Sequence, residues 1–224
     1  MRVFVCAVVF LCGLLFFASY AQAADPVAAA VQKRYAGIGG MKAEFTQVLV
    51  HKESGGKDER KGILYFVKPL HVRWETTNPI PELLIVTPQA LWNVFPDEDM
   101  AYKYPPELSE DSGSIVRVVT GQSDLEKDFI IENKGAKQGV ASLVLYPKNP
   151  SQSMTEVELS VEAATGTIRQ VTIVDFFNNR NTITFTSQVV DPKLDETLFT
   201  FAPPKGMKVE DRTKDGPANT PLLR

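Results

Sequence analysis

Reactive side chains are scarce in this chain. Its 224 residues hold two cysteines and two histidines. Both cysteines, Cys6 and Cys12, lie in the apolar run from Val3 to Phe17, so no pair remains for a zinc ribbon or a disulfide framework. His51 opens a loop of charge and glycine, and His71 falls on the polar face of a strand. Neither has an acidic partner at metal-ligand spacing, which argues against a zinc site. Nucleophile-elbow, dinucleotide-binding and P-loop patterns are absent. The run Asp97-Glu98-Asp99 lacks the glycine and ligand spacing of a calcium loop and reads as a solvated turn. Among 27 acidic residues some carboxylate pair always exists, but none is singled out. With 24 basic residues against those acids, net −3, there is no basic stripe for nucleic acid. No enzyme activity, metal or cofactor is expected.

Long apolar runs are equally few. The run from Val3 to Phe17 follows Arg2 and closes on Ala21-Gln22-Ala23, the form of a secretory signal peptide. It is short for a membrane span. Cleavage after Ala23 would leave an exported chain without cysteine. Leu11 precedes Cys12 and Val5 precedes Cys6, not the small residue that lipid modification of an exported protein needs, so the protein is not expected to be a lipoprotein itself. The expected division is a signal peptide over 1–23, one domain over 24–210 and a flexible polar tail over 211–224.

What the chain does have is strands. After a helical stretch, with Asp25 as N-cap, Pro26 at the first turn and Val27 to Tyr35 behind it, Gly37, Gly39 and Gly40 stop the helix. About eleven strand segments follow: 43–50, 61–67, 71–76, 83–87, 90–94, 100–104, 129–133, 140–146, 154–161, 168–175 and 181–190. Tight links at Lys52–Asp58, Thr165-Gly166 and Asn178-Asn179 make the sheet mainly antiparallel. His71-Val72-Arg73-Trp74-Glu75 alternates cleanly, with Val72 and Trp74 on one face. The material to cover such a face is thin: Val27–Tyr35, a stretch near Ser114–Gly121, and a turn at Leu194–Leu198. A large sheet with so little helix closes on itself or curls around an interior that little fills. The break from Pro105 to Asp128 reads either as a movable cover or as a surface helix packed on the core. Phe66, Trp74, Trp92, Phe95, Phe176 and Phe185 stand out as apolar rather than reactive, and ordinary core accounts for each singly.

In order, Val31-Gln32-Lys33-Arg34-Tyr35, Met41-Lys42-Ala43-Glu44-Phe45-Thr46-Gln47, Gly62, Phe66-Val67-Lys68-Pro69, Val72-Arg73-Trp74-Glu75 and Leu91-Trp92 resemble the outer-membrane lipoprotein carrier (LolA) family of Gram-negative bacteria. Leu143-Val144-Leu145-Tyr146-Pro147-Lys148 and the ending Phe199 to Val209 continue the likeness over nearly the whole exported chain. The resemblance implies an α+β fold: an incomplete antiparallel β-barrel of about eleven strands with a helical lid over an apolar cavity. It implies a monomeric periplasmic carrier that accepts lipoproteins from an inner-membrane ABC transporter and delivers them to an outer-membrane receptor. Cavity candidates are Leu64, Phe66, Val72, Trp74, Leu84 and Val118. Lys68 stands where the family has an arginine thought to hold the lid shut. It reads as a weaker latch or as a solvated rim lysine. A carrier of glycolipid or phospholipid on the same fold is the alternative, and a periplasmic hydrolase or a protein-binding module with a filled core are the rivals.

Overall fold

The computed structural model describes residues 25–106 and 115–214. The expected signal peptide, the polar segment Ser109–Gly113 and the end of the tail lie outside the described residues. Helix α1, Pro26–Gly37, begins where the sequence places it: the Asp25 carboxylate accepts from the Val27 and Ala28 amides, both at 2.9 Å. This cap satisfies two of the amides left open at a helix start. Asp25→Ala is expected to cost about 1 kcal/mol in urea unfolding.

Among the described residues a single sheet of twelve strands follows. Its strands are β1 (Gly40–Val50), β2 (Lys57–Val67), β3 (His71–Asn78), β4 (Glu82–Val86), β5 (Leu91–Phe95), β6 (Met100–Tyr104), β7 (Phe129–Lys137), β8 (Val140–Pro147), β9 (Glu156–Glu162), β10 (Thr167–Val174), β11 (Arg180–Val190) and β12 (Lys208–Asp211). Their order is β12-β6-β5-β4-β3-β2-β1-β11-β10-β9-β8-β7, so the sheet has two free edges and is not closed. Two sequential meanders, β1–β6 and β7–β11, join through the antiparallel β1–β11 pair. Among the described residues, two short helices, α2 (Ile115–Val119) and α3 (Leu125–Asp128), stand between β6 and β7.

The expectation of eleven strands is corrected to twelve. The extra strand, β12, is four residues long and pairs parallel to β6, with Lys208 opposite Met100 and Asp211 opposite Lys103. A parallel neighbour needs a long return connection, and the stretch after β11 supplies it. The pairing also carries the chain past the expected start of the tail at 211: the Arg212 amide donates to the Lys103 carbonyl, and its guanidinium stacks over the Tyr102 ring, 4.4 Å from the centroid.

The face of β3 read as wet is largely covered. The turn Glu196–Phe199 does not lie on the Trp74 face. It packs on the other one, with the Phe199 ring 5.7 Å from that of His71 and the Leu198 carbonyl accepting from Arg73 at 3.3 Å. The reason lies in the neighbouring strands. Ile85 and Trp92 are cross-strand partners on this same face, which is therefore apolar from β4 to β5 and needs its own cover. Phe201 provides part of it, 5.2 Å from Trp92.

Candidate functional site

Residues of β2, β3 and β4 that alternate onto the Trp74 face build a continuous apolar surface. Leu64 lies opposite Trp74 and Phe66 opposite Val72, while Trp74 lies opposite Leu84 on the next strand. Phe45 of β1 extends the patch, its ring 4.6 Å from that of Trp74. Leu64, Phe66, Val72, Trp74 and Leu84 are wholly buried. Val118 of α2 is buried in the same cluster, together with Val31 and Tyr35 of α1 and Leu125 of α3. All six residues named from the sequence as cavity candidates thus come together in one apolar cluster shared by sheet and helices.

The helices approach this sheet closely because two glycines permit it. A Cβ on Gly166, in the β9–β10 turn, would lie 2.3 Å from the Ala30 carbonyl oxygen of α1. One on Gly121, which follows α2, would lie 2.2 Å from the Tyr35 ring. Both have positive φ, +71° and +66°, a conformation natural to glycine. Tyr35 is sealed between α1 and the sheet, and burial pushes its phenol up to about 12, partly offset by the Ile168 backbone amide and Arg34. It stays neutral at any physiological pH. Gln32 binds the helices to one another, donating to the Ser123 carbonyl at 2.8 Å and accepting from the Leu125 amide at 3.4 Å.

Lys68 ends at the C-terminus of α1. Its ammonium donates to the Tyr35 carbonyl and, at 3.2 Å, to that of Ala36. Carbonyls in the last turn of a helix lack intrahelical partners and carry the negative end of the dipole, so a cation is well placed there. The lysine's own backbone is pinned as well, its amide donating to Gly39 at 2.8 Å. Behind it, Asp191 accepts from the Gly39 and Gly40 amides at 2.6 and 3.0 Å, fixing the turn that leads from α1 into β1.

The interior is not purely apolar. Trp74 Nε1 and Thr76 Oγ1 are buried without a hydrogen-bond partner among the described residues. Such groups cost free energy unless something meets them. Elsewhere, His51 pairs with Asp58 at 3.3 Å in an exposed hairpin, and Asp97-Glu98-Asp99 forms an exposed turn between β5 and β6. Sequence reasoning missed Gly121, Gly166, Gln32 and Asp191. The first two were legible only as turn residues, Gln32 only as part of the Val31–Tyr35 motif, and Asp191 carried no distinguishing pattern.

The model of the family described as "Outer membrane lipoprotein carrier protein LolA" matches residues 36–202 of this chain. A protein named outer-membrane lipoprotein carrier protein from Dechloromonas aromatica is 26% identical over 75% of this chain and 80% of its own. One of the same name from Cupriavidus necator is 29% identical over 88% of this chain and 93% of its own. Among solved structures, an uncharacterized conserved protein from Thermus thermophilus superposes with a TM-score of 0.53 at 14% identity, covering 83% of this chain and 97% of the other. That likeness concerns the fold alone.

Proposed function

The chain belongs to the outer-membrane lipoprotein carrier family LolA, and on that premise we propose that it is a periplasmic, monomeric, non-enzymatic carrier. It accepts lipoproteins from an inner-membrane ABC transporter, shields their acyl chains and hands them to an outer-membrane receptor. The observation that carries this reading is the continuous apolar surface of Leu64, Phe66, Val72, Trp74 and Leu84 beneath α1 and α2. Its Val118 side belongs to α2, of which the described residues form five. In the proposed cycle the helices act as a lid, and the acyl chains take the place of Tyr35, Val31 and Val118 against the sheet.

The chemistry such a carrier needs is physical. Burying lipid is worth about 0.8 kcal/mol per CH₂, so one long chain represents on the order of 10 kcal/mol. Spontaneous escape from a membrane is correspondingly rare. A carrier offers equivalent apolar contact without binding more tightly than its acceptor, and displaced lid contacts supply that discount. In the closed form, Val31, Tyr35 and Val118 occupy the surface that cargo would take, and their recovery on delivery offsets part of the cost of releasing it. The buried Trp74 Nε1 is a donor suited to an acyl ester carbonyl.

Energised spheroplasts loaded with lipoprotein test the reading. Added carrier is expected to bring lipoprotein into the soluble fraction in a one-to-one complex. Purified protein that releases none, yet yields extractable glycolipid or phospholipid, would assign the same surface to a different cargo.

A further inference from the structure

The covered outer face of β3–β6 holds a cavity of about 770 Å³, separate from the helix-covered surface and partly open at its rim. Trp92, Phe199 and Phe201 give it an aromatic floor, and Lys68, Lys103 and Glu196 border it. Its volume is that of a small-molecule site. The two lysines are the informative feature. Among the described residues, neither has a carboxylate within ion-pair distance, whereas Arg73 is paired with Glu75 and Arg212 with Glu210. The Lys103 ammonium instead lies over the Trp92 ring, 5.6 Å from its centroid, and that of Lys68 rests on the α1 carbonyls. Lys103 still feels the Asp211 carboxylate across the β6–β12 pair, without contact. An aromatic floor beside two ammonium groups outside any ion pair matches a small molecule with an apolar body and an anionic head.

We propose that this cavity is a second binding site, for a single-chain amphipathic anion, and that the occupant's head group competes with the α1 carbonyls for Lys68. The apolar chain lies along Trp92, Phe199 and Phe201. The head group sits toward Lys103 and Lys68, away from the exposed carboxylate of Glu196. Lys68 belongs to both sites, so filling the outer cavity loosens the last turn of α1 on the opposite face. The binding step does not rest on the carrier reading, and its test is independent of whether the chain extracts lipoproteins.

The chain's two tryptophans, one on each face, make the test direct. In the ¹⁵N-labelled protein, decanoate is expected to move the Trp92 indole resonance saturably, and the neutral decanol at least tenfold more weakly. Lys103→Glu is expected to weaken decanoate at Trp92 about tenfold. Lys103→Gln, which keeps the stem over the ring, is expected to weaken it severalfold with thermal unfolding unchanged. Amide exchange in the last turn of α1 is expected to quicken at saturation. A Trp92 resonance that stays still, equal binding of decanol, or wild-type titrations in both Lys103 variants would overturn the site. Binding with unchanged α1 exchange would overturn the competition for Lys68.

Discussion

Gly166→Ala is expected to lift α1 from the sheet and to cost about 3 kcal/mol of stability, the sum of a left-handed backbone penalty and overpacking. The new methyl group would meet the Ala30 carbonyl oxygen at 2.3 Å and the Val31 amide nitrogen at 2.7 Å. Both are backbone atoms and cannot rotate away. The φ of +71° adds strain for any L side chain. Relief requires either a shifted β9–β10 turn, which breaks the Gly166 amide bond to Glu162 (2.8 Å), or a helix held further out. Urea unfolding gives the magnitude, and amide exchange along α1 distinguishes the two routes. A variant within about 0.5 kcal/mol of wild type would show that the turn yields freely. Gly121→Ala is a useful companion, because its obstacle is the Tyr35 side chain rather than a helix backbone.

Lys68→Leu is expected to leave lipoprotein uptake near normal and to slow delivery to the receptor about tenfold. The substitution keeps an apolar stem and removes the donors to Tyr35 and Ala36. A charge-assisted hydrogen bond is worth about 1.5–3 kcal/mol, and the half-exposed setting reduces this to about 1–2 kcal/mol. In the proposed cycle those bonds exist in the closed form and are lost when cargo displaces α1. Losing them favours the loaded carrier, so release suffers while loading does not. Transfer from purified carrier–lipoprotein complex to receptor-bearing membranes measures the effect. Lys68→Arg, with its planar fork, is expected to restore delivery. Equal transfer rates for wild type and Lys68→Leu would remove the latch role.

Much of this architecture was legible in the residues. All eleven anticipated strands are present, because each combines β-branched or aromatic residues with a turn-forming boundary, and the Asp25-Pro26 start of α1 is a purely local signal. The apolar patch was legible for a similar reason: alternation at Leu64, Phe66, Val72 and Trp74 puts every second side chain on one face regardless of what covers it. β12 was missed because Lys208-Val209-Glu210-Asp211 has neither length nor alternation. It is a strand only because β6 offers a free edge. The turn at Leu194–Leu198 was assigned to the wrong face for a comparable reason, since the apolar pair of Ile85 and Trp92 emerges only once β4 and β5 are aligned.

Local pattern alone therefore determined eleven of the twelve strands and which of their side chains share a face. Order along the chain, through the family likeness, extended this to the family to which the chain belongs. Tertiary structure decided the rest: the register that sets Trp74 between Leu64 and Leu84, the glycines that admit α1 to the sheet, and the lysine that reaches the end of that helix from 32 residues away. These are contacts between distant segments. Their energy depends on distances of a few ångströms that no local periodicity encodes, and they exist only once the sheet has brought the segments together.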